Sequence, residues 1–133
     1  MKRIPLISAL MTPFPWHLEA SASVAEARAL MLREGMHHLP VTDEQHHVLG
    51  LVRLDALPDT TEPLVEWLET VPLLDLHTRA DQVVEMMAEN HQPVVVLCHN
   101  DHLAGIFTWT DAMNTLARQL REPFLPPEGG DVA

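Results

Sequence analysis

The chain has 133 residues, 47% of them hydrophobic, and a formal net charge of −11 at pH 7. That charge argues against nucleic acid and anionic membrane as partners, since both reward clustered Lys and Arg, and no apolar run approaches the roughly 18 residues of a membrane span. Cys98 is the only cysteine, which excludes an intrachain disulfide and fits a reducing compartment. The run Met1-Lys2-Arg3-Ile4-Pro5 lacks the apolar stretch and cleavage site of a secretory signal. The expectation is a soluble, acidic, cytoplasmic domain.

In chain order, Trp16-His17-Leu18 reads as a short extended segment between prolines and a helix start. Ser23-Val24-Ala25-Glu26 has the spacing of a capping box, in which the hydroxyl takes the amide three residues on and the carboxylate reaches back. The helix Val24–Glu34 follows, and Gly35 stops it. Leu39–Val41 and Val48–Val52 read as two strands around the polar turn Asp43–His47. Pro58 and Pro63 bracket a linker and shorten the helix expected there.

The order then repeats. Leu73–Leu76 is a short strand, Thr78-Arg79-Ala80-Asp81 a cap, and Ala80, Val83, Val84 and Met87 share one helical face. Val94–Cys98 and Leu103–Phe107 are paired strands joined by His99–His102. A final helix, Asp111–Leu120, aligns Met113, Leu116, Ala117 and Leu120. The second half matches the first at a constant shift of 55 positions, from 50 to 105: Gly50-Leu51-Val52 becomes Gly105-Ile106-Phe107, Met31 becomes Met86, and His47 becomes His102. A shift that crosses helix, turn and strand without a gap marks one folding unit used twice, and units this small must share a core. The predicted class is α/β (α+β), two β-α-β-β-α units, with a first repeat over 4–57, a linker over 58–63, a second repeat over 64–120 and a flexible tail over 121–133.

The stretches Leu10-Met11-Thr12-Pro13, Ser23–Ala27 and Gly35–Val41, with Gly-Ile-Phe-Thr-Trp-Thr-Asp at 105–111, resemble the tandem cystathionine-β-synthase (CBS) domain family, whose paired form is called a Bateman module. The resemblance spans residues 4 to 120. It implies pseudo-twofold packing of the two repeats, a homodimer, and an adenosine-containing ligand (AMP, ADP, ATP or S-adenosylmethionine) in a cleft between them. It further implies that the Thr and Asp of Gly-x-x-Thr-x-x-Asp, here Thr108 and Asp111, hold phosphate and ribose.

On spacing alone, Asp111 reads equally as a helix cap and as a ribose acceptor at a helix N-terminus. The first repeat is an internal control. At the same shift Arg53 stands for Thr108 and Ala56 for Asp111, while Asp55 arrives one residue early, a rotation of about 100° around a helix. The scaffold is duplicated but the clamp is not, which predicts one competent site per chain. His37 and His38, with Arg53, are candidates to meet phosphate, and the backbone near Val71, Leu73 and Leu74 is the candidate to meet adenine. Trp16, Trp67 and Trp109 could each stack on the base, although alternation along its strand turns Trp109 away from Thr108 and favours burial in core or interface for it. Alternation along a strand should separate His37 from His38. Metal binding is not expected, because no His-x-x-x-His or Cys-x-x-Cys spacing occurs, and Cys98 reads as an inert thiol. The methionines Met31, Met36, Met86 and Met87 read as core.

Two readings follow. The first is a regulatory, non-enzymatic sensor of an adenosine nucleotide that signals to an unidentified partner protein through domain or dimer geometry. The second is a ligand-free dimeric docking module with its cleft empty or plugged by Arg53.

Overall fold

The computed structural model describes residues 3–122; of the flexible tail expected over 121–133, Arg121 instead closes the last helix and 123–133 lie outside the described residues. Two small strands, β1 (Thr12–Pro13) and β2 (Leu18–Glu19), lead into helix α1 (Val24–Glu34) and the hairpin of β3 (His38–Thr42) and β4 (Val48–Arg53). Then come β5 (Leu73–Asp75), α2 (Ala80–Glu89), the hairpin of β6 (Val94–His99) and β7 (His102–Thr108), and α3 (Trp109–Arg121).

Helix α1 begins and ends where its local chemistry directs. Ser23 Oγ accepts the Glu26 N–H at 3.1 Å, and Glu26 accepts the Ser23 N–H at 3.2 Å. Gly35 closes the helix with φ 66°, the left-handed conformation that glycine adopts without a Cβ penalty. Val24, Ala27, Leu30 and Met31 form its buried face.

Helix α2 starts differently from the expected Thr78 cap. Asp75 accepts the His77 N–H at 2.7 Å, and its carbonyl takes the Thr78 hydroxyl at 2.7 Å, so Thr78 finishes a turn. Arg79 is the cap residue, without a side-chain bond, and the Ala80 N–H donates to the Pro5 carbonyl at 2.9 Å. The N-terminal segment thus satisfies an amide that a side chain was expected to take. Val84, expected on the buried face, is 40% exposed. Helix α3 starts two residues earlier than expected, because Thr108 and Asp111 form its own capping box. The shortened closing helix of the first repeat is reduced to a single 3-10 turn at Leu54–Ala56.

The sheets have the orders β2-β3-β4 and β1-β7-β6-β5. In each, a short strand (β2 or β5) runs parallel to the first hairpin strand, which pairs antiparallel with the second. The outer edges are completed by exchange. Strand β1, in the N-terminal part of the first repeat, pairs antiparallel with β7 of the second, Thr12 opposite Ile106. Reciprocally, Glu69, in the N-terminal part of the second repeat, exchanges hydrogen bonds with Leu51 of β4 at 3.1 and 2.8 Å. The cores are exchanged likewise: Ile7 packs with Val83, Met87 and Phe107 of the second repeat, and Leu64 packs with Val24, Met31 and Val52 of the first.

Residues that meet their own images locate the pseudo-twofold axis. Leu51 and Ile106, 55 positions apart, share one buried cluster with Val94. His47 and His102, also 55 apart, stack with ring centroids 4.9 Å apart and planes at 22°. Only a twofold-like arrangement of the repeats brings equivalent residues face to face. Met31 and Met87 are fully buried, and Met36 and Met86 pack partly buried against the same cores.

Candidate functional site

The junction of β7 and α3 is organised by two side chains. Thr108 Oγ donates to Asp111 Oδ2 at 3.0 Å and accepts the Asp111 N–H at 3.2 Å, while the Thr108 N–H donates to the same Oδ2 at 2.9 Å. Asp111 Oδ1 has no protein partner among the described residues, which leaves one acceptor edge of the carboxylate for a ligand hydroxyl.

A cavity of about 700 Å³ opens on this junction. His37 and His38 at the start of β3 line it together with Thr108 and Asp111, so four of the residues singled out by sequence come together in one place. The two histidines are not separated by strand alternation, because β3 begins only at His38 and His37 belongs to the preceding loop. Burial holds the His38 imidazole below its ordinary pKa of 6.5, and the neighbouring charges of His37 and Arg53 act in the same direction.

The remaining candidates lie elsewhere. Leu73 and Leu74 line a separate cavity of about 570 Å³ with His47, Asp75, Cys98 and Asp101. Val71 packs on the Leu51, Val94 and Ile106 cluster. The segment facing Asp111 is instead Thr12–Trp16, of which Phe14 and Trp16 line the cavity, because β1 crosses to pair with β7 and carries its flanking residues along. The 55-residue shift held that information, since it maps Val71 onto Trp16. Trp109, expected to be buried, is 46% exposed and lines the same cavity: as the first residue of α3 it points off the cap and away from both cores.

Arg53 does not line the cavity. Its Nε donates to Glu69 at 2.8 Å and its Nη1 lies 3.4 Å from Asp55. The 55-residue shift relates Arg53 to Thr108 and Glu69 to Phe14. An ion pair thus occupies, in the first repeat, the positions equivalent to two residues lining the Asp111 cavity. Trp67, the equivalent of Thr12, packs against the first core with its indole N–H buried and unpartnered.

Among the described residues, no group of three or more His, Cys, Asp or Glu is placed to hold a metal, and no helix is long and apolar enough to cross a membrane. The Cys98 thiol is raised above its ordinary pKa by burial, with Asp101 and Asp75 adding to the effect, so it is a poor nucleophile.

A family model of the CBS domain matches residues 7–57. A comparison with curated proteins finds no match. Among solved structures, the chain is similar to the AcuB protein of Vibrio cholerae, with 22% identity, TM-score 0.81, and coverage of 93% of this chain and 100% of that one. It is similar to the CBS domain pair of protein MJ0100, solved with methylthioadenosine and S-adenosyl-L-methionine, with 20% identity, TM-score 0.78, and 88% and 99% coverage. It is also similar to CBSX2 in complex with AMP, with 20% identity, TM-score 0.76, and 87% and 98% coverage. At these identities the likeness establishes the fold.

Proposed function

The chain folds as a CBS-domain pair, with residues 7–57 matching the CBS domain model, and on that premise we propose that it is a non-catalytic regulatory sensor of an adenosine-containing nucleotide. The observation that carries this reading is the convergence of Thr108, Asp111, His37 and His38 on one cavity edged by exposed aromatic rings. Asp111 Oδ1 accepts the ribose hydroxyls, as an acidic residue does in dinucleotide folds, and the aromatic rings at the mouth stack on the base. Similar folds solved with AMP and with S-adenosyl-L-methionine support the ligand class.

The ligand bridges both repeats, because His37 and His38 come from the first and Thr108 and Asp111 from the second. Binding therefore biases the angle between the repeats, and a partner protein reads that change. Helix α3 supplies a face for self-association: Met113, Leu116 and Leu120 are 59%, 46% and 56% exposed on one stripe. The same stripe, with the Arg53–Glu69 pair at the positions equivalent to Thr108 and Phe14, favours the second reading, a ligand-free docking module.

Thermal unfolding with AMP, ADP, ATP and S-adenosylmethionine separates the two. A ligand at 100 times its Kd stabilises the folded state by about 2.7 kcal/mol, so a sensor melts several degrees higher with at least one of them. No shift with any at millimolar concentration leaves the docking module.

A further inference from the structure

The Asp111 cavity is poor in positive charge. No Lys or Arg among the described residues lines it, and its polar groups come from Thr12, His37, His38, Thr108, Thr110 and Asp111. Arg53 stands opposite His38 across the β3–β4 ladder, but Glu69 and Asp55 hold its guanidinium. Burial keeps the His38 imidazole in its neutral form near pH 7 and above.

The start of α3, which would otherwise attract an anion, is already engaged. The Thr108 N–H and the Asp111 N–H are held within the capping box, and the Trp109 N–H donates to the Pro93 carbonyl at 3.0 Å, so of these first-turn amides only that of Thr110 is left for a ligand. The Asp111 carboxylate itself offsets the positive end of the helix dipole. A phosphate placed here meets a carboxylate of like charge in a chain of net charge −11, without a counter-cation to compensate its lost hydration.

The cavity offers aromatic surface instead. Phe14, Trp16 and Trp109 line it and are 91%, 54% and 46% exposed. Ring faces of this kind take a purine by stacking and attract a cation through the ring quadrupole. Resting on the adenosine reading above, we infer that the pocket takes adenosine ligands whose 5′ carbon bears a neutral thioether or a sulfonium group, and discriminates against those bearing phosphates. The ribose is held by Asp111 in either case, and the charge at the 5′ carbon decides affinity.

The test is calorimetric titration of the full chain at pH 8 with methylthioadenosine, S-adenosylmethionine, AMP and ATP. The thioether and the sulfonium should bind at least about tenfold tighter than AMP, with ATP weakest, since each tenfold step in Kd is a modest interaction difference. Equal affinities, or the reverse order, overturn the charge selection and leave the adenosine reading standing. No binding by any of the four overturns the adenosine reading itself. A second arm adds a cation to the lining at an exposed position: His37→Arg should raise AMP affinity relative to methylthioadenosine several-fold, with circular dichroism confirming the fold. An unchanged ratio in that folded variant overturns the charge argument.

Discussion

Thr108 and Asp111 hold each other, the hydroxyl donating to the carboxylate at 3.0 Å and accepting the Asp111 N–H at 3.2 Å. Both residues therefore serve folding and binding at once, and substitutions can separate the two. Asp111→Ala should abolish adenosine binding and also cost about 1 kcal/mol of stability through the lost cap. Asp111→Asn keeps an acceptor for the cap but loses the charge, so it should melt near the wild type while binding at least about tenfold more weakly. Calorimetry and thermal melts on both variants check this, and full binding by the Asn variant would remove Asp111 from the ribose role.

Asp55 tests the single-site expectation. It lies in a 3-10 turn beside Arg53, with its side chain 78% exposed, and the Arg53–Glu69 pair persists without it. Asp55→Ala should leave the ligand Kd within about twofold, the size of an ordinary surface effect. A loss equal to that of Asp111→Ala would mean two equivalent sites.

The exchanged edges predict unequal tolerance at two equivalent glycines. A Cβ on Gly50 would lie 2.7 Å from the Glu69 carbonyl oxygen, a main-chain atom held in the bridge to Leu51. A Cβ on Gly105 would press on the Met11 thioether and lie 3.0 Å from the Thr12 carbonyl, and the flexible Met11 side chain can turn aside. Gly50→Ala should cost about 1–3 kcal/mol in urea unfolding, and Gly105→Ala less. The opposite order would show that the β1–β7 edge, not the Glu69 bridge, is the tighter joint.

The depressed pKa of His38 makes a pH prediction. Its cause is burial first, then the positive charges of His37 and Arg53, with Asp55 and Glu69 acting the other way. As pH falls the unfolded chain takes the proton first, near its ordinary 6.5, so the stability associated with neutral His38 is complete above that value. It is lost progressively as pH drops toward the lowered folded value. Wild type should therefore lose more stability than His38→Gln between pH 7 and pH 5, measured as the difference between two urea-unfolding series. The same protonation supplies a cation to the cavity, so AMP affinity should rise more over this interval in wild type than in the variant, which keeps His37 in the lining.

The exposed stripe on α3 predicts self-association. Wild type should sediment as a dimer, and Met113→Glu with Leu116→Glu as a monomer of unchanged helix content. A monomeric wild type would rule out the dimer.

Much of the site was legible because the repeat supplies its own comparison. The bounds of α1 follow from Ser23, Glu26 and Gly35, whose bonds close within a few residues, and the break in the 55-residue shift at Thr108 and Asp111 singled out two residues lining the cavity. The adenine-facing segment was not legible in the same way. Val71–Leu74 lies in the same repeat as Asp111, but the segment beside Asp111 is Thr12–Trp16 of the other, brought there by the pairing of β1 with β7.

The periodicity of α3 had the same limit. Spacing groups Met113, Leu116 and Leu120 on one face, but whether that face meets core or solvent depends on what packs against it, and here it is exposed. The bounds of α1, the duplication and the asymmetry of the clamp can be read from the chain alone, since they rest on local bonds or on direct comparison of the two halves. Tertiary structure alone decided which segment lines the cavity, how Arg53 is held and what the aromatic rings face, because those depend on contacts closed across the pseudo-twofold axis between residues far apart in sequence.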